Sequence, residues 1–130
     1  MALNILIVDD SKLTRRAIRR FIGMLELEVE ALFEAADGLE AIEIIDGPVK
    51  IDLVLADLNM PRMSGIEMIY QMRGNEATKS IPVVIVSTES STTRIEALLA
   101  DGAADYLHKP FTPEQIRAVL QRTLQPKVGA

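Results

Sequence analysis

The chain has 130 residues, of which 48% are hydrophobic and 25% charged, enough for one buried core and too few for two. It has no cysteine, which excludes a disulfide framework, a thiolate nucleophile and a zinc–thiolate site. The formal net charge of -5 argues against direct nucleic-acid binding, and the short apolar run near Met1 resembles neither a signal peptide nor a membrane span. We therefore expect one soluble, cytoplasmic domain with no membrane insertion.

The first strand is predicted at residues 4–8, where a continuous apolar run has the length and β-branched content of a buried strand. Asp9 and Asp10 follow it directly. A helix is predicted next, with Ser11 as its N-cap and a basic face opposite an apolar stripe. The stripe consists of Leu13, Ala17, Ile18, Phe21, Ile22 and Leu25, and the basic face of Lys12, Arg15, Arg16, Arg19 and Arg20.

The middle of the chain predicts a second strand and helix and then a central strand. Residues 29–34 favour a weaker strand, and a helix capped by Asp37 is expected over residues 37–46. The run at residues 53–56 has no polar alternation, which indicates a strand buried on both faces that ends at Asp57. In open α/β sheets ligands bind at the carboxyl ends of the strands, so Asp57 is a candidate site residue.

The last third of the chain repeats the alternation of helices and strands. Ser64 and Thr112 each begin a capping box, the second with proline at the first helical position. The predicted elements are first a helix over residues 64–74 and a strand over 82–86 that ends at Ser87. Ile95, Leu98 and Leu99 then indicate a helix that ends at Gly102. A strand over 104–107 and a helix over 112–124 follow. Residues 125–130 show no pattern and are predicted to be a disordered tail.

Five strands that alternate with five helices predict a doubly wound, flavodoxin-like α/β domain over residues 1–124, with a parallel sheet in the order 2-1-3-4-5. Strands 1 and 3 are neighbours in that order. Asp9, Asp10 and Asp57 are therefore expected close together at the switch point of the sheet.

Three carboxylates at one cleft repel each other, and a hard divalent cation would relieve the repulsion. Magnesium prefers one or two carboxylates with backbone carbonyls and waters, and it keeps positions open for phosphate oxygens. Lys109 and the Ser87 hydroxyl are predicted at the same edge, so the remaining space suits an anion such as a phosphoryl group. Asp57 is then placed to be the nucleophile of an aspartyl phosphate.

Each of these residues also has a purely structural interpretation. Asp10 and Ser87 are suitable N-caps for the helices that follow them, and Lys109 before a proline is compatible with a solvated loop. The functional interpretation is favoured because all of these residues occur at strand ends of one α/β repeat.

Together these features resemble the response-regulator receiver domains of two-component signalling, over about residues 3–124. The matching features are the pair Asp9-Asp10, Asp57 within LADLNMPRMSG, the hydroxyl of Ser87, and the segment Tyr106-Leu-His-Lys-Pro-Phe111. The resemblance implies a signalling switch that accepts a phosphoryl group from a sensor histidine kinase or a histidine phosphotransfer domain. The fourth helix, last strand and last helix would then present an altered surface to a downstream target protein.

The resemblance also implies a role for each site residue. Asp57 would be the phospho-acceptor. Mg2+ would be bound directly by Asp10, Asp57 and the Asn59 backbone carbonyl, and by Asp9 through water. Ser87 and Lys109 would contact the phosphoryl group, and Tyr106 would be the rotating aromatic. The Lys109–Pro110 bond is expected to be cis. On phosphorylation Ser87 should move towards the phosphoryl group, and Tyr106 should turn into the space that it leaves.

The chain departs from the family pattern at Thr88, where alanine or glycine is usual, and its bulk is expected to restrict access to the phosphoryl pocket. Asn59 and Glu89 occupy positions that tune the lifetime of the phosphorylated state in the family. The pair resembles that of stand-alone chemotaxis regulators, which implies self-dephosphorylation in seconds to a few minutes, or a barrier of roughly 18 to 21 kcal/mol.

Two other functions fit parts of the pattern. A haloacid-dehalogenase-like phosphatase also uses a strand-terminal Asp with magnesium, but it needs a second Asp two positions later, where this chain has Asn59. Turnover of external substrates is therefore not expected. A pseudo-receiver, which folds in this way without being phosphorylated, is the alternative among binding modules.

The basic face of the first helix begins next to Asp10 and has two interpretations. It is either a solvated surface or a docking surface for an acidic patch on the phosphodonor domain, for which Arg15 and Arg19 are the predicted contacts.

Overall fold

The apolar runs of the sequence form the strands of a central sheet. The computed structural model describes residues 2–128, with side chains described as far as Leu124. Its elements are β1 (Leu3–Val8), α1 (Lys12–Gly23), β2 (Val29–Ala35), α2 (Gly38–Ile45), β3 (Leu53–Asp57), α3 (Gly65–Arg73), β4 (Val83–Ser87), α4 (Thr92–Ala100), β5 (Asp105–His108) and α5 (Pro113–Val128).

The five strands are parallel and lie in the order β2-β1-β3-β4-β5, which confirms the predicted topology. Helices α1 and α5 cover one face of the sheet, where Leu55 belongs to the same buried cluster as Ile18 and Ile116. Helices α2, α3 and α4 cover the other face, where Val54 belongs to a cluster with Ile69. A strand buried on both faces needs the unbroken apolar run that the sequence shows.

The predicted helix N-caps are confirmed. In α1 and α2 the cap side chain accepts the N–H of the residue three positions later, while α3 and α5 begin with reciprocal capping boxes. The capping residues are Ser11, Asp37, Ser64 and Thr112. Because these caps satisfy backbone donors that the helix itself leaves unpaired, they fix where each helix begins relative to the strand end before it.

Two residues predicted on apolar helix faces are largely exposed. Leu13 is 75% exposed and Leu99 is 41% exposed. Leu13 lies in the first turn of α1, beside Lys109 and Phe111 of the loop after β5, whereas Ile18 and Ile22 are buried against the sheet. Periodicity identifies the apolar side of a helix but does not show how far the sheet extends beneath it.

The last helix continues past its predicted end at residue 124. Its backbone is helical to Val128, and residues 129–130 lie outside the described residues. The predicted disordered tail over residues 125–130 stays a prediction. No glycine or asparagine stands at residues 125–128 to end the helix in the left-handed conformation. The predicted strand bounds differ from the observed ones by about one residue, which is usual for element ends.

Among the described residues, no helix combines the length and the apolar composition needed to cross a membrane.

Candidate functional site

Side chains that follow four of the strands meet at one edge of the sheet. Asp9 follows β1, Asp57 ends β3, and Ser87 ends β4 opposite His108 of β5. The carboxylate oxygens of Asp9, Asp10 and Asp57 lie within 4.8 Å of one another. The predicted carboxylate cluster is therefore present, and it arises because parallel neighbours place their carboxyl ends at the same edge.

Lys109 lies among these carboxylates. Its Nζ is 2.9 Å from Asp9 Oδ2 and 3.5 Å from Asp57 Oδ1. Burial acts to lower the pKa of Lys109, but the hydrogen bond and charge of Asp9, together with Asp57, outweigh it and raise that pKa. Lys109 is thus a charged member of the cluster and not a solvated loop residue. The predicted cis Lys109–Pro110 bond is confirmed.

Asp57 is held by both the backbone and the cluster. Its Oδ1 accepts the N–H of Leu58 at 2.8 Å. Burial raises the pKa of Asp57, and the charge of Asp9 raises it further, while Lys109 and the Leu58 N–H oppose the shift. The ionised form of Asp57 is therefore destabilised, and a cation bound at the cluster would stabilise it.

Asp10 and Ser87 are not the N-caps of the helices that follow them. Asp10 is exposed, and the N-cap of α1 is Ser11, whose own N–H donates to Asp9 Oδ1 at 2.8 Å. Ser87 is buried, and its Oγ accepts the N–H of Glu89 at 3.2 Å, so it does not cap α4. That cap is Ser91.

Tyr106 and Glu89 are both bound to the loop between β4 and α4. The Tyr106 hydroxyl contacts the backbone carbonyls of Ser87, at 3.0 Å, and of Glu89, and burial raises the pKa of Tyr106. The Glu89 carboxylate accepts the N–H of Ser91 at 2.9 Å and lies 3.5 Å from Arg94. Tyr106 therefore contacts this loop through its hydroxyl, and its expected turn on phosphorylation stays a prediction.

The two other residues of the predicted site are exposed. Asn59 lies on the loop between β3 and α3, two residues after Asp57. Thr88 lies beside Lys109 and Phe111 on the surface next to the first turn of α1. The structure thus puts the bulk of Thr88 at the rim of the site.

Comparison with known proteins agrees with this geometry. The family model described as the response regulator receiver domain matches residues 5–121.

This chain belongs to the response regulator receiver domain family.

The receiver domain is similar to proteins from bacteria and plants. It is 32% identical over 122 residues to the chemotaxis protein CheY1 of Helicobacter pylori, covering 94% of this chain and 97% of that protein. It is 32% identical to the two-component response regulator ORR5 of Oryza sativa, covering 95% and 90%. A solved structure of the chemotaxis response regulator CheY4 of Vibrio cholerae has a TM-score of 0.84 and 32% identity, covering 95% of this chain and all of that one. Stand-alone chemotaxis regulators are thus among its relatives.

The carboxylate cluster of the receiver domain fits a magnesium ion. Its members are oxygen donors, as a hard cation requires. Burial, followed by the charge of Asp9, raises the pKa of Asp57, and a bound cation would oppose that shift. Asp10 and Asp57 would hold the ion directly with the Asn59 carbonyl, and Asp9 through water.

Two arginines predicted as docking residues are already paired within the receiver domain. Arg15 Nε is 2.9 Å from Glu34 Oε1 and Arg19 Nη2 is 2.8 Å from Glu34 Oε2. Burial acts to raise the pKa of Glu34, but the hydrogen bonds from the two arginines outweigh it and lower that pKa. Arg15 is only partly exposed, whereas Arg19 is exposed in spite of its ion pair, as are Lys12, Arg16 and Arg20. The pairing was missed because Glu34 comes from β2, an edge strand whose packing against α1 is not visible in the sequence.

A second pair near the site was also missed. Arg62, on the loop that carries Asn59, contacts Asp37 at the start of α2. The only sequence signal was a long basic residue directly after Pro61.

Proposed function

We propose that this receiver domain is a phosphorylation-activated signalling switch in which Asp57 accepts a phosphoryl group in the presence of Mg2+. The observation that carries the proposal is the group of Asp9, Asp10, Asp57 and Lys109 at one strand edge, with carboxylate oxygens within 4.8 Å of one another and the Lys109 ammonium against two of them. The magnesium ion, when bound, would neutralise charge on the carboxylates and on the incoming phosphoryl oxygens.

Asp57, Lys109 and Ser87 would each have a different role in phosphoryl transfer. Asp57 Oδ1 is held by Leu58, so we expect the other oxygen, Oδ2, to attack the phosphorus while the bond to the donor histidine nitrogen breaks. Lys109, tied to Asp9, would stabilise negative charge on the transferred group. Ser87, whose Oγ accepts the Glu89 N–H, would turn to donate its own O–H to a phosphoryl oxygen.

The same movement would transmit the signal. If Ser87 releases the Glu89 N–H, the loop between β4 and α4 loses that hydrogen bond. The Tyr106 hydroxyl would keep its contacts with the backbone carbonyls of Ser87 and Glu89. Because Tyr106 already contacts this loop, we propose that phosphorylation shifts the population of loop conformations and does not create a new one. The surface of α4, β5 and α5 would then bind a downstream target protein.

The phosphodonor would be a sensor histidine kinase or a histidine phosphotransfer domain in the cytoplasm. We propose that it docks on α1, which begins beside the site, and that Lys12, Arg16 and Arg20 supply the steering charge. Arg15 and Arg19, the residues first expected to do so, would act indirectly by holding α1 to β2 through Glu34.

The lifetime of the phosphorylated state is proposed to depend on Asn59, Glu89 and Thr88. Asn59 is exposed two positions after Asp57 and is short and polar, so it can align a water for in-line attack. Glu89 is turned towards Ser91 and Arg94, so its effect on water would pass through the loop. Thr88, at the rim, would limit access.

Intact mass after incubation with acetyl phosphate and magnesium tests the proposal. The expected result is the gain of one phosphoryl group, about 80 Da by covalent arithmetic, in the wild type and none in Asp57→Asn. A protein that keeps its mass under these conditions is a pseudo-receiver. Steady release of phosphate from small phosphate esters would instead favour the dehalogenase-like alternative.

A further inference from the structure

The loop between β3 and α3, residues 58–64, contains a residue in an unfavourable backbone conformation. Arg62 has φ of 65°, the left-handed region that a residue with a Cβ rarely adopts. Such conformations persist only where the surroundings fix them, and they concentrate at functional sites. Arg62 lies three residues after Asn59 and five after Asp57.

The side chain of Arg62 crosses to the start of α2. Its Nε donates to Asp37 Oδ2 at 2.7 Å, and its Nη2 is 3.8 Å from Glu40 Oε2. Asp37 is 5% exposed, and its other oxygen, Oδ1, caps α2 by accepting the Glu40 N–H at 2.9 Å. One buried carboxylate therefore fixes the helix terminus and the arginine together. Because α2 is packed on the sheet through Ala41, it provides a rigid anchor for the loop.

The backbone of the loop touches α2 at the same place. The Gly38 N–H donates to the Met63 carbonyl at 3.3 Å, and a Cβ on Gly38 would lie 2.8 Å from that carbonyl oxygen, closer than real Cβ atoms come. The two ends of the loop are joined by the Gly65 N–H, which donates to the Leu58 carbonyl at 3.0 Å. Asn59 lies between Leu58 and Met63, the two loop residues whose carbonyls accept these hydrogen bonds.

We propose that Arg62 and Asp37 are positioning residues for the cation site, because their ion pair holds the loop so that the Asn59 backbone carbonyl stays beside Asp57. The inference rests on the magnesium site of the proposed function. Without the pair, the loop spends less time in the binding conformation, and the apparent dissociation constant for Mg2+ rises in proportion to that loss.

Magnesium titration of the full chain, followed by amide NMR shifts of residues 57–59, tests the proposal. Asparagine tolerates positive φ, so Arg62→Asn keeps the backbone conformation and removes only the ion pair. We expect it to weaken Mg2+ binding about 3- to 10-fold, with Arg62→Lys recovering most of the affinity. Arg122→Asn is the matched control, since Arg122 makes a similar exposed pair with Asp105 at 3.0 Å on β5, and it should bind Mg2+ as the wild type does.

A second variant separates positioning from simple charge. Asp37→Asn keeps an oxygen for the α2 cap but loses the charge that binds Arg62. Long-range electrostatics predicts opposite effects on Mg2+ affinity, tighter binding when Arg62 is neutralised and weaker binding when Asp37 is neutralised. The ion-pair model predicts that both weaken it equally and that the double variant is no weaker than either.

The outcomes are distinguishable. A wild type that shows no saturable shifts with Mg2+ overturns the proposed cation site and this inference with it. A wild type that binds, with Arg62→Asn and Asp37→Asn within about twofold of it, overturns the inference alone. Equal weakening in Arg122→Asn would assign the effect to general loss of stability and would overturn it as well.

Discussion

At the scale of single residues, Asp57 is subject to opposing influences. The apolar strand that delivers it also removes it from water, and this burial, followed by the charge of Asp9, raises the pKa of its carboxyl group. Lys109 and the Leu58 N–H stabilise the ionised form but do not fully compensate. The site therefore favours the arrival of positive charge, which is the property that a magnesium-dependent phospho-acceptor requires.

Replacing Asp57 with Asn is expected to stabilise the metal-free protein. The amide oxygen can still accept the Leu58 N–H, whereas the buried charge next to Asp9 is removed. We expect the thermal midpoint in EDTA to rise by about 2 to 5 °C, which corresponds to roughly 1 kcal/mol for a domain of this size. Calorimetry measures the change in the thermal midpoint, with Asp46→Asn at the exposed end of α2 as the control. A lower midpoint for Asp57→Asn would show that the carboxylates do not repel appreciably.

Asp37 should contribute a stability that depends on pH. The hydrogen bond from Arg62, followed by the Glu40 N–H, lowers the pKa of Asp37 below its ordinary value. The contribution of its charged form is therefore complete above the unfolded pKa of about 3.9 and is lost as the pH falls through the lower folded value. Urea unfolding at a series of pH values below about 5 should show a steeper loss for the wild type than for Asp37→Asn. Parallel curves would mean that the carboxylate gains nothing on folding.

At the scale of elements, local signals in the sequence were sufficient to predict the strands and helices. Continuous apolar runs define β1, β3 and β4, and four caps define helix starts, because both depend on neighbouring residues alone. The pairing of Arg15 and Arg19 with Glu34 could not be predicted, since it depends on how an edge strand packs under α1. The exposure of Leu13 was missed for the same reason: it depends on where the sheet ends.

The exposed basic residues of α1 provide a test of docking. Reversing Arg16 and Arg20 together to Glu should slow phosphoryl transfer from a phosphorylated histidine domain about 3- to 10-fold at low salt, because steering charge is lost, and the difference should shrink at high salt. Rapid-quench kinetics measures the rate of phosphoryl transfer at each salt concentration. Labelling by acetyl phosphate should stay unchanged, since that donor needs no docking surface. Equal slowing with both donors would locate the damage in the site.

The loop between β4 and α4 provides a second test at this scale. Tyr106→Phe removes a hydroxyl that contacts the carbonyls of Ser87 and Glu89. A hydrogen bond contributes about 1 kcal/mol, so amide hydrogen exchange at residues 88–91 should become roughly five times faster. Tyr70→Phe is the matched control, because Tyr70 is bonded to Asp101 elsewhere. Unchanged exchange in Tyr106→Phe would remove β5 from the proposed signal path.

At the scale of the whole molecule, the fold separates stability from function. The apolar clusters on the two faces of the sheet supply the core, while the charged groups of the site are confined to one edge. Three of the carboxylates that contribute to the formal net charge of -5 are gathered at that edge. Binding of a cation there should therefore raise the free energy of unfolding of the entire domain, because only the folded chain assembles the cluster.

Magnesium is accordingly expected to stabilise the complete domain. At a free concentration ten times its dissociation constant, linkage gives about 1.4 kcal/mol of added unfolding free energy, or a rise of about 4 to 7 °C in the thermal midpoint. Sodium chloride at matched ionic strength should produce much less, since screening alone does not coordinate oxygens. Asp57→Asn should lose most of the magnesium response, because it replaces the carboxylate whose pKa burial and then the charge of Asp9 raise with a neutral amide. If sodium and magnesium raise the midpoint equally, the cluster is only an acidic surface, and the phospho-acceptor proposal loses its cofactor.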